Sequence, residues 1–163
     1  MASETPGREL ILEAIKARLL LIDRDQGYHS TKPTVHRDGL TDEWLGALDS
    51  QTLPALFIED GDETIGHNVA QHFSNEFQVI IRGYVHARQP NEVSTVLNRL
   101  LHDTKRTLQA VQALGAGTWQ SGKGQVTQIA YEITSDISAG GNPHFGGFVM
   151  TLTIKYREPE VLT

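Results

Sequence analysis

Histidines are the side chains of this sequence with the clearest capacity to bind a metal, because a neutral imidazole nitrogen is a common ligand. His67 and His72 are five residues apart, a poor spacing for two ligands on one helix face, and no HExxH pattern occurs. Asp60, Asp62 and Glu63 resemble only a fragment of a calcium loop, since the later ligands and the closing glutamate are missing. We therefore predict no metal-binding residue. The histidines interpreted as hydrogen-bonded or solvated surface side chains are His29, His36, His67, His72, His86, His102 and His144.

The sequence also contains no recognisable motif for a catalytic nucleophile or a phosphate-binding loop. The absence of cysteine excludes disulfides, thiol nucleophiles and thiolate metal sites, and no GxSxG elbow is present. Ser121-Gly122-Lys123-Gly124 lacks the spacing of a phosphate loop, and no strand pattern leads directly into it. Gly140-Gly141-Asn142-Pro143 has no helix behind it whose N-terminus would hold a phosphate. We predict no catalytic residue and no cofactor, and hence that the protein is not an enzyme.

The remaining charged residues favour contacts between proteins over catalysis. Glu132 and Asp136 flank the end of one predicted strand, and Glu59 and Asp60 end another, but nothing distinguishes them from solvated strand ends. Arginines near the predicted sheet are more typical of salt bridges or an interface than of a nucleic-acid site. The residues predicted to form a protein interface are Arg82, Arg88, Asp136, Asn142, His144, Phe145 and Arg157.

Length and composition predict one soluble globular domain spanning residues 1–163. The formal net charge of −6 argues against tight sequence-independent DNA binding, which usually needs a basic surface. This charge remains compatible with DNA that slides past an acidic protein surface without binding to it. No stretch approaches the roughly 20 apolar residues of a membrane span, so no membrane partner is expected.

A long amphipathic helix over residues 91–114 organises the predicted fold, with Gly115 as its C-terminal cap. Strand patterns lie on both sides of it. Phe148, Met150, Leu152, Ile154 and Tyr156 alternate with polar residues in the last strand, as in a half-buried antiparallel strand. The predicted strands are 34–37, 53–59, 73–86, 126–133 and 148–156.

Three further segments complete the expected architecture. A first helix begins near Thr5-Pro6 and ends near residues 23–27, and Asp60-Gly61 is a turn signal. Residues 28–51 are predicted to form an irregular arm, and residues 135–147 a glycine-rich loop that contacts partners. The fold class is therefore α+β, a mostly antiparallel sheet of about four to five strands with two main helices packed on one face.

The order of these elements and their local amino-acid sequences resemble those of the tail terminator, or tail completion, proteins of tailed bacteriophages. The likeness covers roughly residues 10–158 and includes no catalytic motif. The segments that carry it are Leu19-Leu20-Leu21-Ile22-Asp23, Leu53-Pro54-Ala55-Leu56-Phe57-Ile58, Phe77-Gln78-Val79-Ile80-Ile81-Arg82-Gly83-Tyr84, Val96-Leu97-Asn98-Arg99-Leu100-Leu101-His102-Asp103 and Leu152-Thr153-Ile154-Lys155-Tyr156-Arg157.

The resemblance implies a tail-terminator-like fold and a structural virion protein of the tail or neck, assembled in the cytoplasm of the bacterial host. It implies a homo-oligomeric ring, a hexamer, that ends polymerisation of the tail tube and offers a joining surface to the head. The implied partners are the tail tube protein and a head-to-tail connector or neck protein, with passive passage of DNA through the lumen. Alternatives are another connector, neck or tube subunit, a small enzyme, or a ligand-binding module.

Overall fold

The computed structural model describes residues 7–37, 54–66, 72–115, 125–136 and 143–159. Two helices and five strands make up most of this part of the chain. In chain order they are α1 (Gly7–Leu19), β1 (Thr34–His36), β2 (Ala55–Gly66), β3 (His72–His86), α2 (Val93–Gly115), β4 (Gln125–Asp136) and β5 (Phe145–Pro159).

The five strands form one sheet in the order β1-β2-β3-β5-β4. β1 runs parallel to β2, whereas every other pair is antiparallel, so the sheet is mixed but mostly antiparallel. Both helices contribute to a single hydrophobic core with the sheet. The predicted α+β class, with about five strands and two main helices, is therefore confirmed.

One side of the sheet, here named the helix face, is built from alternating residues of the central strands. Phe77 of β3 lies opposite Ile154 of β5, and Val79 lies opposite Leu152. All four side chains are fully buried, as their two-residue periodicity predicts. Burying each such side chain contributes roughly 1.5–3 kcal/mol, so this face carries much of the folding free energy.

The long helix α2 begins two residues later than predicted and ends at Gly115, as expected. A short 3₁₀ turn over Pro90–Glu92 precedes it, because proline suits the first turn of a helix. Val93, Leu97, Leu100 and Leu108 of its apolar stripe are buried. The same helix also buries three polar side chains that the periodicity did not single out. They are Asp103, Thr104 and Thr107.

The predicted turn at Asp60-Gly61 is wrong, because β2 continues through it to Gly66. The pairing of β2 with β3 shifts register between Asp60 and Glu63, as in a β-bulge. A Cβ added at Gly61 would lie 2.7 Å from the Cβ of Gln78. The glycine therefore permits the close approach of β2 and β3 at the bulge. The Asp60-Gly61 dipeptide forms part of this bulge and not a turn.

The predicted loop over residues 135–147 is too long at both ends. β4 extends to Asp136, and β5 already begins at Phe145. Gly146 and Gly147 pair with Val85 and Tyr84 of β3, so these glycines are strand residues. Residues 137–142 lie outside the described part of the chain, and with them the predicted interface residue Asn142.

The segment after α1 also departs from expectation. α1 ends at Leu19, earlier than predicted, and a separate 3₁₀ turn follows over Arg24–Gln26. Gly27 ends that turn with a φ of 83°, a left-handed conformation that favours glycine. Of the predicted arm, residues 28–37 are described and include β1, whereas residues 38–51 lie outside the described ranges.

A search of the described residues finds no helix with the length and apolarity needed to cross a membrane.

Candidate functional site

Four of the predicted interface residues lie at one end of the sheet, here named the β3–β5 end, where β3 finishes and β5 begins. Phe145 pairs with His86, the last residue of β3, and Arg88 follows two residues later. Asp136 pairs with Gly147 at the end of β4, and His144 directly precedes β5. The sequence-based set is thus partly brought together by strand pairing.

His144 and Phe145 are packed into this end of the sheet. The backbone N–H of Ala87 donates to the His144 carbonyl at 2.9 Å, and His144 Nδ1 lies 3.1 Å from the Ala87 carbonyl. Because a carbonyl only accepts, Nδ1 carries the proton in this contact. The His86 ring stacks on His144 at 5.9 Å and meets Phe145 edge-on at 5.2 Å. His144 and Phe145 therefore extend the strand pairing, and both side chains are half-buried.

Arg82 and Arg157 lie elsewhere. Arg82 is in the middle of β3, on the side of the sheet away from both helices, here named the outer face, and its Nε lies 3.2 Å from Glu59. Arg157 pairs with Ser74 and Gln125, at the end of the sheet opposite His86. The predicted interface residues therefore do not form one compact site.

The outer face combines half-buried apolar and polar groups. Ile80 and Thr151 pair across β3 and β5, and Val149 lies beside Arg82. Near β1 an aromatic group forms, in which the His36 ring stacks on Phe57 at 4.9 Å. The mixture of apolar surface with ion pairs is typical of a surface suited to protein contacts.

A cleft of about 210 Å³ lies beside the β3–β5 end. It is bounded by α2, by the 3₁₀ turn over Arg24–Gln26 and by the start of the predicted arm. We name it the basic cleft because, among the described residues, two arginines and two histidines line it and no aspartate or glutamate does. Its lining residues are Arg24, His29, Ser30, Thr31, Pro54, Val85, His86, Val96, Arg99 and Leu100.

One wall of the basic cleft is held on α2 by Asp103. Its carboxylate accepts the backbone N–H of Ser30 at 2.7 Å and that of His29 at 3.3 Å. The carboxylate is fully buried, and charge-assisted hydrogen bonds of this kind are among the stronger ones in proteins. The position of these two cleft residues is therefore fixed by the helix.

Two further α2 residues hold the same segment. Arg106 donates to the Gly27 carbonyl at 3.1 Å, and its guanidinium lies 4.7 Å from the centre of the Tyr28 ring. Thr107 donates to the Tyr28 hydroxyl at 2.9 Å. Spacings of three and four residues place these groups and Asp103 on one side of the helix. The start of the predicted arm is thus packed against α2 of the same chain.

Arg37 joins the sheet to α1. Its guanidinium lies 3.0 Å from Glu9 and 3.7 Å from Asp60. The hydrogen bond to Glu9 raises the pKa of Arg37, against the opposing effect of burial. This arrangement keeps a cation between two carboxylates and is structural, because it fastens the end of β1.

Within the described ranges, no group of three histidine, cysteine, aspartate or glutamate side chains is placed to hold a metal ion. Sequence reasoning missed the basic cleft and the buried Asp103. Arg24 and His29 are far along the chain from His86 and Arg99, and the four share no motif, so no local signal identified them. For Asp103, the signal was its position among the leucines of α2.

In comparisons with known proteins, no family model matches this chain and no curated protein matches it significantly. The resemblance to tail terminators therefore stays a prediction.

Proposed function

We propose that this protein is a structural subunit of a bacteriophage tail. It assembles into a hexameric ring at the head-proximal end of the tail, stops polymerisation of the tube and presents a surface to the head. The observation that carries the proposal is the asymmetry of the sheet. One face is sealed by both described helices, and the other carries a mixed apolar and charged surface.

The two edges of the sheet suit assembly into a ring. One edge is the 12-residue strand β4, and the other begins with the three-residue strand β1. A ring requires heterologous contacts, in which one surface of a subunit meets a different surface of the next. Two unlike edges supply such surfaces, and strand addition is one way to use them.

The order of elements supports the same function. After the first helix and the short strand β1 come two adjacent strands, the long helix and two further adjacent strands, an order like that of the family that the sequence resembles. The partners of such a ring are the tail tube protein and a head-to-tail connector or neck protein, and DNA passes through the lumen without being held. The protein resides in the virion and assembles in the cytoplasm of the bacterial host.

The decisive experiment measures assembly. The purified full chain, alone and mixed with the tail tube protein of its phage, is followed by analytical ultracentrifugation and negative-stain microscopy. We expect closed rings, and tubes bearing one ring at a single end. Long cylinders formed by the protein alone would identify a tube subunit instead. A particle that stays monomeric in the presence of the tube protein would refute the proposal.

A further inference from the structure

We propose that the basic cleft binds a phosphate group. The protein carries a net charge of −6, so its overall field repels anions. The cleft nevertheless gathers Arg24, Arg99, His29 and His86, and none of the described residues that line it carries a carboxylate. Two guanidinium cations beside two imidazoles that can donate hydrogen bonds, in an acidic protein, are the pattern expected of a specific anion site. The inference does not depend on ring assembly.

The two arginines have donors to offer. Arg24 uses Nε to reach the His29 carbonyl at 3.3 Å, and among the described residues its two terminal nitrogens have no acceptor. The Arg99 side chain is exposed, and it makes no ion pair or hydrogen bond within the described ranges. A guanidinium presents a planar fork of N–H groups that matches the oxygens of a phosphate.

The imidazoles are placed by other contacts. His86 is held between His144 and Phe145, and the His29 ring lies 5.6 Å from that of His102. None of these contacts uses a ring nitrogen of His29 or His86. Each imidazole can therefore donate a hydrogen bond into the cleft, and a protonated ring adds a positive charge.

The donors come from four different segments of the chain, which favours an anion with oxygens on several sides. Arg24 comes from the 3₁₀ turn, Arg99 from α2, His86 from the end of β3, and Ser30 and Thr31 from the segment after Tyr28. A phosphate has several acceptor oxygens pointing in different directions, so it can accept from all of these at once. A planar carboxylate satisfies fewer of them.

The size and walls of the cleft admit more than a bare ion. About 210 Å³ accommodates a phosphate with part of an ester substituent. Val85, Val96 and Leu100 give one side an apolar wall against which that substituent can pack. The Asp103 contacts keep the His29–Ser30 wall in place before the ligand arrives, which lowers the ordering cost of binding.

The test is a titration with inorganic phosphate at constant ionic strength, followed by two-dimensional NMR. We expect shifts at the amides of His29, Ser30 and Thr31 and at the His86 imidazole. Arg24→Gln and Arg99→Gln should each weaken binding by about tenfold, because each removes charged hydrogen bonds to the ligand. Lys105→Gln removes the same charge from α2 outside the cleft and should leave the dissociation constant unchanged.

Three outcomes would overturn the proposal. They are the absence of shifts in the cleft, equal shifts produced by chloride at the same ionic strength, and equal weakening by Lys105→Gln. The last two would indicate general attraction to cations. Because Arg24 and Arg99 are exposed, the variants should fold, which the dispersion of their spectra verifies.

Competition then identifies the source of the phosphate. Displacement of inorganic phosphate by adenosine monophosphate, but not by a short oligothymidylate, indicates a free phosphate monoester. The reverse result indicates a phosphate within a nucleic-acid chain. Both results support a phosphate site, and they remain informative if the protein never forms rings.

Discussion

The two faces of the sheet differ in what their residues do. On the helix face, Phe148, Met150 and Leu152 are buried against other apolar side chains. On the outer face, the intervening residues Val149, Thr151 and Thr153 are half-buried. Neighbouring positions of the same strand thus belong to surfaces of different kinds.

This difference separates folding from recognition. Apolar burial supplies most of the free energy of folding, and in β3 and β5 the helix face contains nearly all of it. The outer face contributes less to stability, so its residues are free to suit a partner. Substitutions that compare matched positions on the two faces test this separation.

The largest effect is expected from Leu152→Ala. It removes a fully buried side chain that lies opposite Val79, and the loss of burial with the cavity left behind should cost about 3–4 kcal/mol. Urea denaturation measures the change. Thr153→Ala, at the next position on the outer face, is the control and should cost less than about 1 kcal/mol. Equal costs would show that the two faces do not differ.

Asp103→Ala should rank second. It leaves the buried N–H group of Ser30 and the partly buried one of His29 without their acceptor, at a cost of roughly 2–3 kcal/mol. Faster hydrogen exchange at those two amides, beyond the general loss of stability, would locate the effect. Gln109→Ala, at an exposed position of the same helix, is the control. An unchanged exchange rate at Ser30 would mean that Asp103 does not hold the segment.

A pair of glycines compares the faces directly. A Cβ at Gly83 would collide with the Phe148 ring, and one at Gly147 would lie 2.9 Å from the Tyr84 ring. Phe148 is only 2% exposed and has little room to move, whereas Tyr84 is half-buried. We expect Gly83→Ala to cost about 2 kcal/mol and Gly147→Ala about half as much, measured as a shift in thermal midpoint. A larger cost at Gly147 would contradict the assignment of Tyr84 to the more adaptable face.

The smallest effect on stability is expected from Arg82→Glu. The ion pair with Glu59 is partly exposed, so its loss should cost no more than about 1 kcal/mol. Assembly should suffer more than folding, because the outer face is proposed to meet other proteins. Sedimentation measures assembly, and denaturation measures stability.

The charge-swapped double variant Arg82→Glu with Glu59→Arg provides the control. It restores an ion pair and should recover stability while assembly stays impaired. Normal ring formation by Arg82→Glu would remove Arg82 from the interface.

Much of the fold could be predicted because it follows from local periodicity. Leu152 and Ile154 alternate with polar neighbours, and Leu97 and Leu100 recur on one side of a helix, so burial of each can be inferred from a short stretch of sequence. The turn at Asp60-Gly61 was predicted wrongly because the same two residues suit either a turn or a bulge. The position of β3, which pairs with this segment, decides between a turn and a bulge. That position depends on residues distant in the sequence.

The candidate sites depend on contacts across the chain. Arg24 and Arg99 share a cleft because Asp103, Arg106 and Thr107 hold residues 27–30 on α2. Strand pairing brings His86 to the same place. The sequence by itself determined which residues are apolar, where helices and strands form, and the net charge. Only the tertiary structure decided which distant polar groups meet, because hydrogen bonds and charge interactions act over a few ångströms and their partners lie many residues apart.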